Sequence, residues 1–301
     1  MSEAVEGNKG NGCRRLPPWL RNGQCRGESS RKIGRLMGQL QLNTVCRSAS
    51  CPNQQECWNS GTATFLILGP VCTRQCGFCN VRKGSPSAPD PEEPARVAVA
   101  VALMGLSYAV LTSVTRDDLE DGGAGAFAGT IRAIRSRSAG CRIEVLVPDF
   151  QGSEQALELV FAARPDVLNH NIETVPSQYA RVRPQADYHR SLELILRAKQ
   201  RGFTTKSGLM IGLGERPEEV RMVMEDLREA GCDILTIGQY LQPSKNALKV
   251  AEYHPPEEFV RLQKEGNALG FSRIMAGPLV RSSYHAERTS VLCSGGTAGN
   301  Q

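Results

Sequence analysis

Three cysteines stand within eight residues, Cys72-Thr-Arg-Gln-Cys76-Gly-Phe-Cys79, directly after the apolar run Thr64-Phe65-Leu66-Ile67-Leu68. Three thiolates can hold three corners of a four-iron cluster, and the missing fourth leaves one iron open for a small-molecule ligand. A second triplet, Cys46, Cys51 and Cys57, lies just upstream, so six of the eleven cysteines fall between positions 46 and 79. Thiols this concentrated are not scattered core residues. A zinc site would use paired Cys-x2-4-Cys half-sites or His partners. Only Cys76 and Cys79 have that spacing, and none of the four His is close in sequence. Cys76-Gly-Phe-Cys79 alone would suit a redox pair, but the third thiol at Cys72 speaks against it. Disulfides need an oxidising compartment, and Met1 to Asn11 is polar and Gly-rich with no secretory signal. Iron–sulfur ligation is the favoured reading, with zinc as the alternative that stays open.

These thiols have to be held by something, and the rest of the chain reads as an α/β scaffold. Strands are expected at Thr64 to Leu68, Tyr108 to Val114, Arg142 to Val147, Val167 to Asn171, Thr204 to Ile211, Ile234 to Ile237 and Arg273 to Ala276. Helices are expected between them at Pro94 to Met104, Gly125 to Ser136, Ser153 to Ala163, His189 to Arg201, Pro217 to Ala230 and Pro256 to Leu269. Near-continuously apolar strands alternating with helices imply a parallel sheet with a covered face. Six such units are too few for a closed eight-unit barrel and suit an open, partial one. In parallel barrels chemistry gathers at the C-terminal strand ends, which here carry Cys72, Thr112, Ser113, Thr115, Asp149, Asn169, Asn171, Glu173, Lys206, Ser207 and Gln239. Cys46 to Cys57 contains Pro52 and Asn53, shows no periodicity, and reads as a loop wrapped round its ligand. Gly212-Leu-Gly214 lacks the third glycine of a dinucleotide fingerprint, so nicotinamide binding is rejected.

Composition narrows the partners. The longest apolar run, Val97 to Met104, is far short of the roughly 20 residues that cross a bilayer, and no membrane association is expected. Between Lys9 and Arg35 eight cations stand against Glu28 alone. Aromatic residues are 5% of the chain and no stacking platform accompanies the basic run, so the arm reads first as merely solvated, with an acidic protein partner next and ahead of nucleic acid. Residues 1 to about 12 look disordered by composition, and Trp19 reads as a packing anchor within a short docked helical stretch.

Cys-x3-Cys-x2-Cys with Phe78 before the last thiol resembles the signature of the radical S-adenosylmethionine superfamily. Taken with Cys46, Cys51, Cys57 and with Arg281-Ser282-Ser283-Tyr284, the pattern resembles the lipoyl synthases within it. Ser113 to Leu119, Pro165 to Thr174, Thr205 to Met210 and Thr236 to Pro243 match as well. The resemblance implies a partial (β/α)6 barrel at 61–278, an N-terminal extension at 1–60 carrying an auxiliary cluster loop, and a tail at 279–301. It implies two [4Fe-4S] clusters. Cys72, Cys76 and Cys79 would hold the one that binds S-adenosylmethionine; Cys46, Cys51, Cys57 and the oxygen of Ser282 would hold a sacrificial one. Phe78, Gly122, Gly123, Asn171, Glu173 and Lys206 are the expected cofactor contacts. The implied reaction inserts two sulfur atoms at C6 and C8 of an octanoyl-lysine on a carrier domain, giving lipoyl-lysine. The implied partners are octanoylated lipoyl carrier domains (2-oxoacid dehydrogenase E2 subunits and the glycine cleavage H protein), a low-potential reductant such as ferredoxin or flavodoxin, and an iron–sulfur carrier protein, all in the cytoplasm. Leu16, Thr115, Ala247 and Lys249 depart from the family pattern, which bears on carrier specificity and on no cluster ligand.

Overall fold

The computed structural model describes residues 16–21, 27–60 and 62–287. The Gly-rich start, Lys9, Arg14, Arg15 and Arg26 of the basic run, and Cys13, Cys25 and Cys293 lie outside the described residues. In chain order the elements are α1 (Glu28–Gln39), β1 (Asn43–Thr44), α2 (Val45–Ser48), α3 (Gln54–Asn59), β2 (Thr64–Ile67), β3 (Val71–Cys72), β4 (Arg82–Lys83), α4 (Glu93–Leu103), β5 (Tyr108–Ser113) and α5 (Ala124–Arg137). They continue with β6 (Arg142–Leu146), α6 (Glu154–Ala162), β7 (Val167–Asn169), α7 (Tyr179–Val182), α8 (Tyr188–Gln200), β8 (Thr204–Ile211), α9 (Pro217–Glu229), β9 (Ile234–Gln239), α10 (Pro256–Ala268) and β10 (Arg273–Gly277).

Eight strands form one sheet in the order β1-β2-β5-β6-β7-β8-β9-β10, and every pairing is parallel except β1 against β2. Six βα units therefore precede a seventh parallel strand, and the two ends of the sheet, β1 and β10, are not paired with each other. The helices have local causes. Ser153 caps α6 by accepting the Ala156 N–H, and Asp187 caps α8 by accepting that of Arg190. Proline occupies the first turn of α4, α9 and α10, where its missing N–H costs nothing.

Alternation along each strand splits the sheet into two faces. Ala109, Leu111, Ile143, Val145 and Leu168 pack with Phe127, Ile131 and Val160 of the helices in one core; Leu209, Ile211, Leu235 and Ile237 pack with Val223, Leu227 and Phe259 in a second. At roughly 1.5–3 kcal/mol for each fully buried aliphatic side chain, these two layers account for the fold's cohesion. The opposite face is polar inside. Lys206 on β8 bonds both oxygens of Glu144 on β6, at 2.9 and 3.1 Å, and Glu144 also accepts from Tyr108 on β5 and Asn169 on β7.

The tail runs across this inner face. Beyond β10 the Val280 carbonyl lies against Gly238 and Ser282 against Gly208, and Ala286 is buried on Tyr108 and Val110. A side chain at Gly238 would collide with the Val280 backbone, so a bare backbone is needed where the tail crosses β9. One segment touching β9, β8 and β5 on the same face requires the sheet to curl around it. Trp19, expected as an anchor, is 40% exposed. It docks by donating its indole N–H to the His254 carbonyl at 3.2 Å, while Leu20 beside it is buried.

Candidate functional site

The downstream thiols sit on the segment that leaves β2 and forms the small β3–β4 ladder, and its backbone is tied down on several sides. Thr73 bonds the Thr115 carbonyl through both N–H and hydroxyl, Gly77 N–H donates to the Val182 carbonyl, and Leu248 N–H donates to that of Gly77. Arg74, inside the cysteine motif, is 4% exposed and makes a bidentate pair with Asp117 at 2.7 and 2.9 Å and a bond to Asp149 at 2.6 Å. Arg190 reaches the other Asp149 oxygen at 3.4 Å. The Arg74 guanidinium and its hydrogen bonds outweigh burial and hold the Asp149 carboxyl down at about 2. This buried, fully paired arrangement fixes the motif against the ends of β5 and β6.

Cys72, Cys76 and Cys79 are half-buried free thiols close enough to feel one another's charge. Burial pushes Cys79 up to about 11 and raises Cys76, while Arg183 and Arg74 beside Cys76 pull its value back. The Thr115 N–H points at the Cys72 sulfur at 3.3 Å, and the Val81 N–H serves Cys79.

The upstream set is built differently. Cys46 lies on α2, Cys57 on α3 and Cys51 between them, where a loop was expected; Thr44 caps α2 through the Arg47 N–H. Helices of four and six residues are too short for a 3.6-residue period to register in sequence. Cys46, Cys51 and Cys57 are mutually adjacent, and burial raises all three, Cys57 to about 12. The tail closes over them. Asn53 donates to the Leu279 carbonyl at 2.6 Å, Tyr284 to Glu56 at 2.7 Å, and His285 stands 3.4 Å from Glu56. Arg281 faces both Cys51 and Glu173. The two thiol-bearing segments meet where Asn80 donates to Ser50 at 3.0 Å.

Both sets suit iron–sulfur clusters by the chemistry of their donors. Each offers three thiols with backbone N–H groups directed at sulfur: Thr64 and Asn53 upstream, Thr115 and Val81 downstream. The indole nitrogen of Trp58, 3% exposed, is directed at the Cys46 thiol and has no other acceptor among the described residues, a placement that suits a sulfur-bearing ligand set. Among the described residues no three Cys, His, Asp or Glu side chains converge tightly enough for a single metal ion. Thiols with pKa values raised by burial must release protons when metal binds, so loading should acidify the medium.

The other sequence-predicted residues fall in distinct places. Phe78 packs against Val182, Leu213 and Tyr240 at the rim of the downstream thiols. Asn171 and Glu173 lie just past β7; Glu173 has φ of 67° and is stitched to β8 through Gly208 and Met210. Ser282 donates to Asn171 Oδ1 at 2.7 Å, and Asn171 Nδ2 donates to Glu173 at 3.1 Å. Lys206, buried on the inner face, is paired with Glu144 through both carboxylate oxygens. Gly122 and Gly123 have φ of 59° and 90° and form the turn into α5, whose first N–H groups are already satisfied by Asp121 at 2.8 Å. A methyl group on Gly123 would run into Leu68. Local packing thus accounts for both glycines. Gln239 is committed to Tyr240, Glu252 and His254, and Ser207 to His170 and Ile172.

Arg74, Arg183 and Glu144 were missed in sequence. A lone carboxylate in Arg142-Ile-Glu144-Val-Leu146 and a lone ammonium in Thr204-Thr-Lys206-Ser were the signal for the last, since two opposite charges buried on strands of one parallel sheet have to be paired.

The Radical SAM superfamily model matches residues 66–227. Lipoyl synthase of Rubrobacter xylanophilus is 58% identical over 272 residues, covering 90% of this chain and 85% of the relative. Lipoyl synthase of Pelodictyon phaeoclathratiforme is 55% identical over 284 residues, covering 92% and 97%. Among solved structures, Streptococcus suis SuiB bound to S-adenosylmethionine aligns with a TM-score of 0.56 at 12% identity, over 81% of this chain and 60% of that one, a likeness of fold alone.

Proposed function

The chain belongs to the lipoyl synthase family of the radical S-adenosylmethionine superfamily, and from that premise we propose which of its residues carry out the sulfur insertion. It is an iron–sulfur enzyme that uses S-adenosylmethionine. The bound groups supply a 5′-deoxyadenosyl radical and the two sulfurs that enter C6 and C8 of an octanoyl-lysine.

Cys72, Cys76 and Cys79 would hold the cluster that meets S-adenosylmethionine, with Phe78 packed on Val182, Leu213 and Tyr240 beside these thiols and Asn171 and Glu173 as the polar groups nearest the strand ends. Arg74 keeps the motif in place, and Arg183 offsets thiolate charge at Cys76. Cys46, Cys51 and Cys57 hold the sulfur-donating cluster, with Ser282 as its oxygen ligand. An oxygen is a poorer partner for cluster iron than a thiolate, which suits a corner that has to open. The segment around Asn53 and Glu56 and the tail residues 279–285 pack on each other, a cover that would keep water from a radical formed beneath it. Octanoylated carrier domains are the substrates. A low-potential reductant such as ferredoxin or flavodoxin and an iron–sulfur carrier are the supporting partners, and a reducing compartment such as the cytoplasm suits six free thiols. Among the described residues no helix is long and apolar enough to cross a membrane.

The observation carrying this reading is the pair of separate thiol triplets, each mutually adjacent, with the Ser282 segment lying between the upstream one and Asn171. Anaerobically reconstituted protein incubated with octanoylated carrier domain should add two sulfurs less two hydrogens by mass spectrometry. Ser282→Ala should keep S-adenosylmethionine cleavage while losing sulfur insertion. Equal loss of both activities would remove Ser282 from the scheme.

A further inference from the structure

The two ends of the Asn171 amide are committed in opposite senses. Nδ2 donates to Glu173 Oε1 at 3.1 Å, Oδ1 accepts from Ser282 Oγ at 2.7 Å, and the Asn171 carbonyl is held by Arg183 Nη1 at 3.0 Å. Gly208 lies directly beneath the pair; a methyl group there would stand 2.6 Å from Ser282 Oγ and 2.7 Å from Asn171 Oδ1. Glu173 is fastened to the same strand through its N–H on the Gly208 carbonyl at 2.9 Å. The site is therefore built around this contact.

With Nδ2 given to a carboxylate, the amide shows Ser282 an acceptor, so the serine supplies the proton of that bond and is held as an alcohol. We propose that Asn171 is the positioning residue for Ser282, holding its oxygen in place through an amide that Glu173, Arg183 and the bare backbone of Gly208 fix from the other sides. The inference rests on the reading of Ser282 as the upstream oxygen ligand. Asn171 thereby links the tail to the strand end that also faces the downstream thiols.

The test uses the full chain with Cys72, Cys76 and Cys79 replaced by Ala, reconstituted with iron and sulfide so that only the upstream set is loaded. The readouts are the rate of iron capture by a ferrous chelator and the electron paramagnetic resonance spectrum of the reduced cluster. Asn171→Leu should release iron about tenfold faster with a shifted spectrum, in line with the loss of other outer hydrogen-bond partners of metal ligands. Asn171→Asp keeps the shape but has no N–H to hold Glu173 and sets two carboxyl groups side by side, and Gly208→Ala pushes the pair apart; both should act in the same direction. In a Ser282→Ala background none of the three should add anything, because their effect passes through that oxygen. An unchanged rate in Asn171→Asp and Asn171→Leu, or acceleration of equal size in the Ser282→Ala background, overturns the proposal while leaving Ser282 as a ligand. An unchanged rate in Ser282→Ala alone overturns the ligand reading and the proposal with it.

Discussion

The two thiol triplets are near neighbours in sequence, yet they are secured in different ways. The downstream one is anchored inward: its loop is pinned to strand ends by Arg74, Asp117 and Asp149 and by backbone bonds to the segments at Thr115, Val182 and Leu248. The upstream one is anchored outward, by two short helices and by a tail arriving from residues 279 to 285. The outward contacts are single, partly buried hydrogen bonds that can be lost one at a time, whereas the inward ones centre on a buried charge network that has to break together. On the assignment proposed above, the lasting cluster would have the rigid mounting and the sulfur-donating one the mounting that can open.

The strongest test of this contrast is removal of one thiol from each set. Cys76→Ala should reduce 5′-deoxyadenosine formation to background, whereas Cys51→Ala should retain it and lose only sulfur insertion; chromatographic assay of 5′-deoxyadenosine and mass spectrometry of the carrier separate the two. Next in size is Arg74→Met, which strands Asp149 without its main partner. A loss of about 3–5 kcal/mol is expected in urea unfolding of the metal-free protein, and a loss under 1 would show that the inward anchor is not electrostatic.

Acid should strike the same inward mounting. His170, fully buried between the Val147 carbonyl and Ser191, is pushed down to about 4 by burial and by Arg183. Its folded value lies below the unfolded one near 6.5, so its contribution is complete above that pH and is lost as pH falls toward 4, amounting to about 3 kcal/mol. Asp149 adds about 2 kcal/mol that disappears between roughly pH 4 and 2. Urea midpoints of His170→Asn should be flatter than those of the parent across pH 6.5 to 4; identical slopes would exclude His170. The smallest effect belongs to the outward mounting. Tyr284→Phe deletes the bond to Glu56 and should cost about 1 kcal/mol, visible as faster amide exchange across residues 46–59 with residues 72–79 unchanged.

Much of the scaffold was readable because its signals are local. Ser153 and Asp187 as caps, proline at helix starts, and apolar runs of strand length placed six helices and seven strands to within a few residues. Missed pieces were those without a local period: β1, the β3–β4 ladder, and the turns of helix around Cys46 and Cys57. Lys206 illustrates the other kind of difficulty. Its place on a strand was visible, but the partner that claims its charge was not, because Glu144 lies two strands away in the sheet.

By itself the sequence determined the identity and grouping of the sulfur ligands and the alternation of helices with parallel strands, since both depend on residues a few positions apart. Tertiary structure alone decided that Ser282 meets Asn171 across 111 positions and that Asn53 meets the Leu279 carbonyl across 226. Those meetings follow from the curl of the sheet and from the glycines that let the tail cross it, and no short-range pattern records how far a sheet curls.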